Sequence, residues 1–384
     1  MTELAKHDRD IVFINQATGY ITIDIINSFA DNFNRVALIA GSIRVQDIEL
    51  NKKVKWSKII RYNRGHPGKK LLTWIIGTLQ IFGLLIFTYK KYDVFYITIP
   101  PFAYLLSLIL PNRFSILVFD VYPDVLKIYG IKRNGVIFRL WGRWNKRLFK
   151  MAYKIFTIGE GLAQLLTQYV ERERVTIIPL WTGLTKAMPI SKADNPWLSD
   201  LHLKDKFIIQ YSGNIGYTHN VDVLVEIANQ MKGDESCQFL IIGRGEKVQK
   251  IKDLIKRYEL KNCILLPFQP DDSLVYSLAA ADIGVVILDE AVADVSLPSK
   301  IYNLQAVGVP VIGISPVNSE LHRHLELYGN GYCFSQSDLD GIKECIYTIK
   351  NNPRMQLEMV NKSLKAAENY TSKNAKAYFL AYTS

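Results

Sequence analysis

Lys300 and Arg244 are the two cations whose sequence settings best suit a phosphate. The run Pro298-Ser299-Lys300-Ile301-Tyr302-Asn303, stopped by Gly308 and followed by Val309-Pro310-Val311-Ile312, reads as a helix leading into a buried strand. At the start of that helix the Ser299 hydroxyl, the Lys300 ammonium and unpaired N–H groups would converge on an anion. Asn303 is within reach of the same end and could hydrogen-bond a ribose. Arg244 stands between Gly243 and Gly245 after an apolar run, so it can reach past a strand end towards a diphosphate. Gly213-Asn214-Ile215-Gly216 also follows a strand-like run, with Thr218 as the expected N-cap of the next helix; glycines there let the backbone approach a phosphate. His219, just beyond, is either a phosphate contact or an exposed first-turn side chain. Tight turns use glycine anyway and a turn arginine can simply be solvated, so no one of these motifs identifies a site alone.

Three carboxylates stand where acid–base work is possible. Asp120 and Asp124, in Phe119-Asp120-Val121-Tyr122-Pro123-Asp124, lie just past a strand-like run. Asp120 could orient or deprotonate a hydroxyl, or stabilise positive charge on a sugar ring. Capping the turn beside Pro123 is its plain alternative. Glu160, at a comparable strand–helix turn, is a secondary candidate. The four cysteines (Cys237, Cys263, Cys333 and Cys345) form no C-x-x-C pair, which argues against a zinc site and suits a reducing compartment. No metal is expected. His322 and His324 read as residues of a surface helix without a recognisable pairing.

The elements that must position these groups alternate along the 384 residues, long enough for two domains. Strands are expected at 11–15, 35–40, 57–62, 94–98, 115–119, 154–157 and 175–178, with helix-length segments between most of them. The stretch from Thr182 to Lys206, broken by Gly183, Pro189, Ser191, Asp194, Asn195 and Pro196, reads as a linker, set at residues 191–205. The alternation then restarts with strands at 207–211, 238–242, 263–266, 283–288, 309–312 and 331–334. Two α/β Rossmann-like domains follow, at 1–190 and 206–365, with ligands at the carboxyl ends of the strands. The last segment, 366–384, belongs to a helical stretch that could return to the first domain.

Charge is unevenly spread. Residues 1–195 hold 28 Lys and Arg against 14 Asp and Glu, so the whole net charge of +11 comes from the first half. Basic residues there are interleaved with long apolar stretches, which suggests contact with anionic lipid or a pyrophosphate-bearing substrate. Nucleic acid is disfavoured, because no helix-turn-helix, zinc-finger or RNA-motif pattern is present. Residues 71–89 are uncharged and long enough to span a bilayer, yet lysines flank both ends and a strand-like run follows directly. A buried or surface-lying helix is the expected outcome, with a span as the alternative. Trp141 and Trp144, among Arg139, Arg143, Lys146 and Arg147, suit either an interfacial anchor or ordinary helix packing. No secretory signal is read at the start.

Taken in order, YSGNIG (211–216), IIGRGE (241–246), LLPFQP (265–270), AAADIGVVIL (279–288) and PSKIYNLQAVGVPVI (298–312) resemble the donor domain of retaining family-4 glycosyltransferases. FDVYPD (119–124) resembles a motif of the branch that builds bacterial surface polysaccharides, and the segments around 154–161 and 177–181 also match. The resemblance implies a GT-B fold, two Rossmann-like domains facing each other across a cleft. It implies a nucleotide-sugar co-substrate with no other cofactor, retention of configuration without a metal, and diphosphate charge held by Lys300, Arg244 and helix N-termini. The sugar would go to a lipid-linked or surface-polysaccharide acceptor, from the cytoplasmic, inner face of the cell membrane. Phe268 follows the pattern that holds a base through backbone groups, favouring UDP over GDP. The chain departs from the pattern at Asn303 and Val295, where many members carry a pair of glutamates. It departs again at Asn214 and His219, where many carry arginine and lysine. A sugar-nucleotide 2-epimerase and a non-catalytic membrane-associated scaffold are the rival readings.

Overall fold

The computed structural model describes residues 8–63, 65, 67–125, 135–216, 219–289 and 297–384. It divides into two units, Met1–Gly183 with Ser372–Ser384, and Leu184–Thr371.

In the first unit, short runs rich in Ile, Val and Phe become the parallel strands β1 (Ile11–Ile14), β3 (Val36–Ala40), β6 (Asp93–Ile97), β7 (Phe114–Val118), β8 (Ile155–Thr157) and β9 (Val175–Ile177), joined by the more polar β5 (Lys55–Lys58). Their spatial order is β5-β3-β1-β6-β7-β8-β9, while β2 (Ala17–Thr18) and β4 (Ser42–Ile43) pair separately. Strands β1, β3, β6 and β7 are buried along their whole length, which is why they read as continuous apolar runs rather than alternating ones. The strand expected at 57–62 is β5, two residues earlier. It is an edge strand, and at Ile60 the backbone N–H turns to the Gln80 side chain (2.8 Å) instead of to a neighbouring strand.

The helical stretch expected at 71–89 is the helix Pro67–Phe87. It buries Trp74, Ile81 and Leu85 and leaves Leu72 and Leu79 on the opposite side, 55% and 64% exposed. Gln16 fastens it to the sheet by donating to the Thr73 carbonyl at 2.8 Å. The final stretch is two helices, Pro353–Ala367 and Ala375–Thr383. The second belongs to the first unit, where Phe379 and Tyr382 meet the Phe29 ring edge-on at 5.5 and 5.4 Å. The Tyr382 hydroxyl donates to buried Asp93, which Arg9 and Arg113 also hold, so this carboxylate is compensated on several sides.

The second unit repeats the plan with β10 (Phe207–Asn214), β11 (Cys237–Arg244), β12 (Cys263–Leu266), β13 (Ile283–Ile287), β14 (Val311–Ile314) and β15 (Gly331–Phe334), in the order β12-β11-β10-β13-β14-β15, all parallel. Ile209, Tyr211, Phe239, Ile241 and Val285 pack in one core. Ile208, Leu240 and Ile242 pack with Leu198 and Leu203 in another. That second core corrects the expectation of a linker at 191–205. The segment forms the helix Pro196–Leu201, capped by the Asn195 side chain, and Lys192 is ion-paired with Asp282. The apolar side chains spaced between its polar residues cover a sheet face.

Candidate functional site

The carboxyl ends of β10 and β11 lie side by side, in register Gly213 to Gly243 and Asn214 to Arg244. A Cβ on residue 243 would stand 1.9 Å from the Gly213 carbonyl oxygen, and one on residue 245 would stand 2.4 Å from the Ile215 carbonyl oxygen. Only glycine permits this approach, so the two turns form a single narrow floor.

Lys300 reaches that floor from the first turn of the helix Lys300–Ala306. Its ammonium donates to the Tyr211 hydroxyl at 3.1 Å, lies 4.3 Å from the centre of the Tyr211 ring and comes within 2.9 Å of where a Cβ on Gly213 would be. Tyr211 in turn donates to the Asn214 carbonyl at 2.6 Å. Burial pushes the Lys300 amine down to about 7. His219 is half-buried near the same place and is pushed down to about 4 by burial, with the Lys300 and Lys247 charges adding to the effect and Asp289 opposing it. Its imidazole is therefore neutral at pH 7.

Arg244 lies at the rim. Its guanidinium carbon is 4.9 Å from the centre of the exposed Phe268 ring, an arrangement that leaves the N–H fork open to an anion. Asn214 is exposed beside it, and its amide nitrogen lies 2.6 Å from where a Cβ on Gly216 would be. Ser299 precedes the helix with helical backbone angles and makes no side-chain cap bond. Pro298, expected inside the first turn, stands just ahead of it. Asn303 sits one turn beyond Lys300 on the same helix, half-buried. Thr218 and Val295 lie outside the described residues, and the helix after the first glycine turn begins at Asp222.

The carboxylates of the first unit fall into different settings. Asp120 follows β7 and is half-buried; burial raises its carboxyl above the usual range, while the Lys70 ammonium opposes that shift. Asp124 is buried and accepts from the Tyr169 hydroxyl (2.7 Å) and the Gln168 amide (3.2 Å). Glu160 is exposed and engaged by Arg172 through both oxygens, at 3.1 and 2.7 Å. Asp124 and Glu160 thus hold neighbouring parts of their own unit. The lysine beside Asp120 escaped the sequence reading; it lies 4.9 Å from the centre of the Trp74 ring.

Two further readings are corrected or divided. His324 is buried rather than on a surface: its ring is 2.8 Å from the Gln305 amide and packs against Tyr302, Tyr328 and Tyr370. A helix that looks polar by composition can still bury one face. Trp141 and Trp144 part company. Trp141 is buried, stacked on Tyr122 at 5.7 Å and donating to the Tyr104 hydroxyl at 2.8 Å, whereas Trp144 is 40% exposed.

Tyr211 is the residue that sequence reasoning missed in the second unit. Its signal is strand alternation, because residues 211 and 213 share a face, so an aromatic hydroxyl two places before the first glycine points to the side on which a ligand would approach.

Residues 198–366 match the family model described as Glycosyl transferases group 1. The chain is 26% identical over 234 residues to WbjE of Pseudomonas aeruginosa, named a probable glycosyltransferase, covering 59% of this chain and 57% of that one. It is 30% identical over 235 residues to WcaI of Escherichia coli strain K12, named provisionally a colanic acid biosynthesis glycosyl transferase, covering 59% of this chain and 58% of that one. The match thus spans little more than half the length of either relative. Among solved structures, sucrose-phosphate synthase of Thermosynechococcus elongatus superposes with a TM-score of 0.74 at 15% identity over 98% of both chains. HepE of Anabaena, in complex with UDP-glucose, gives 0.73 at 13% identity over 97% of this chain and 99% of that one. The chain has the GT-B fold, with a Rossmann-like sheet in each unit.

Proposed function

We propose that this chain is a glycosyltransferase that moves a sugar from a nucleoside diphosphate donor to an acceptor presented at a membrane surface. The observation that carries this reading is the Lys300 ammonium held against the Gly213 turn, which packs on Gly243, inside the segment that matches the group 1 glycosyltransferase model. A diphosphate lying over Gly213 and Gly243 would meet a lysine ammonium, a guanidinium fork and close backbone, which together stabilise the charge that grows as the glycosidic bond breaks. No bound metal is needed for that task. Asn303 is available to a ribose hydroxyl. The base would sit against the backbone near Phe268, and the UDP-glucose complex of the HepE neighbour makes UDP the nucleotide to try first.

Asp120 is the carboxylate we assign to the acceptor, orienting its hydroxyl or stabilising charge on the sugar. Burial raises its carboxyl above the usual range, which favours a proton on it. Retention of configuration follows from the family-4 resemblance, and the colanic acid name of one relative favours a surface-polysaccharide acceptor.

The first unit supplies the membrane face. The stretch Gly68–Phe87 is long and apolar enough to cross a bilayer, but one side of it is fastened to the sheet by Trp74, Ile81 and Leu85. Its other side shows Leu72, Ile75 and Leu79, with Lys69 and Lys70 at the start. The helix Val136–Met151 adds exposed Trp144 among Arg143, Lys146 and Arg147. Apolar side chains collared by cations fit the surface of an anionic leaflet, with the helix lying on it.

Calorimetric titration of the whole protein with UDP, GDP and their sugar conjugates, repeated in EDTA, tests the donor half. Saturable binding that survives EDTA and weakens in Lys300→Ala supports the transferase. Transfer to a lipid-linked acceptor would then separate it from an epimerase. A folded protein that binds no nucleotide would overturn the reading.

A further inference from the structure

The donor-site reading leaves one residue without a role, and that residue makes the shortest polar contact in the glycine floor. Tyr211 is fully buried on β10, and its hydroxyl has two partners. It donates to the Asn214 carbonyl at 2.6 Å and accepts from Lys300 at 3.1 Å. A core tyrosine needs only one acceptor to satisfy its O–H. The second contact serves the lysine: among the described residues no carboxylate forms an ion pair with Lys300. The ammonium lies against the face of the same ring, so one aromatic side chain provides both a hydrogen-bond acceptor and a cation–π surface.

We propose that Tyr211 is a positioning residue for the diphosphate cation: it fixes the Lys300 ammonium over the Gly213 backbone and couples it, through the hydroxyl, to the Asn214 turn. This inference rests on the donor-site reading and adds to it the device that holds the Lys300 nitrogen in place before the anion arrives. Preorganisation of this kind lowers the ordering cost of binding. Beside the lysine stand Tyr211 and His219, and His219 in turn feels the charges of Lys300, of Lys247 before the helix Val248–Arg257 and of Asp289 after β13. With the site empty, burial favours the neutral amine. An arriving diphosphate favours the charged form, so binding draws a proton on to Lys300.

The test is a double-mutant cycle on the full chain, titrating UDP and GDP into wild type, Tyr211→Phe, Lys300→Met and the double variant. Tyr211→Phe keeps the ring and removes the hydroxyl. It should weaken nucleotide binding roughly tenfold, in line with loss of a charge-assisted hydrogen bond. In the Lys300→Met background the same change should cost almost nothing, because its effect runs through the lysine. An equal penalty in both backgrounds would mean a purely structural role and overturn the inference, as would unchanged binding by Tyr211→Phe. Should that variant fail to fold, Tyr211→His, which keeps a ring and a polar atom, takes its place in the cycle, and coupling to Lys300 within error of zero would overturn the proposal. A folded wild type that binds neither nucleotide overturns the donor-site reading, and this inference with it.

Discussion

Gly213 and Gly243 are partners across β10 and β11, and the Gly213 carbonyl oxygen occupies the space that a Cβ on residue 243 would fill, at 1.9 Å. The neighbour is backbone in a core strand, so it cannot swing aside. Gly243→Ala should therefore destabilise the second unit by at least about 2 kcal/mol, through overpacking in a well-packed region. Urea denaturation would measure it, and nucleotide binding should fall along with the fold.

The Lys300 amine, lowered to about 7, predicts two opposite pH trends. A bound diphosphate raises its pKa, so affinity is greatest below pH 7 and falls as pH rises above it, by up to roughly tenfold per unit. Stability of the empty protein runs the other way. The unfolded chain holds the lysine proton up to its ordinary, higher value, so between about pH 7 and that value the unfolded state binds more protons and Lys300 favours folding increasingly as pH rises. Nucleotide Kd and thermal unfolding of the empty protein, each followed from pH 6 to 9, should separate the two trends. His219, already neutral above about 4, should leave the nucleotide profile unchanged when replaced by Gln, and should flatten the stability profile only below about pH 7, where the unfolded chain still binds the imidazole proton.

Asp120, Asp124 and Glu160 should behave as three different residues. Asp120→Asn should lower transfer by roughly a hundredfold or more while leaving nucleotide affinity intact, as expected for an acid–base or charge-stabilising group. Asp124→Asn should act on stability, by about 1–3 kcal/mol, because it accepts from Tyr169 and Gln168 in a buried place. Glu160→Gln should change little, since its pair with Arg172 is exposed and worth about 0–1 kcal/mol. Steady-state transfer rates set beside denaturation midpoints for the three variants would check this ranking.

The exposed side of the helix Pro67–Phe87 predicts a membrane defect that spares the donor site. Leu72→Gln with Leu79→Gln should reduce binding to vesicles containing anionic lipid by roughly tenfold or more, given the apolar area lost. Nucleotide affinity should stay within error of wild type. Vesicle co-sedimentation at low and moderate salt would check it, with unchanged partitioning counting against the membrane face.

Much of the fold is legible in the sequence because its signals are local. The strands expected from Ile-, Val- or Phe-rich runs are present within a few residues, since a parallel strand buried on both faces must be apolar along its length; the exposed edge strand β5, on Lys55–Lys58, overlaps its expected run by only two residues. The glycine turns at 213–216 and 243–245 are equally legible, because close backbone approach admits no other residue. The misplaced features depend on what an element packs against. Residues 191–205 read as a linker because polar residues outnumber apolar ones, yet Leu198 and Leu203 suffice to cover a sheet face. His324 read as exposed because its neighbours are polar, although the rings that enclose it come from 302, 328 and 370.

For the site, the sequence alone determined which residue types stand at the strand ends: two glycine turns, Lys300, Arg244 and a set of carboxylates. Tertiary structure decided how they are employed. It brought Lys300 to Tyr211 across 89 residues, stacked Arg244 on Phe268, and bound Asp124 and Glu160 to partners in their own unit while placing Asp120 beside Lys70. The division has a physical cause. Backbone conformation answers to neighbours a few residues away, whereas the charge state and aim of a side chain answer to burial and to partners that only the folded chain brings near.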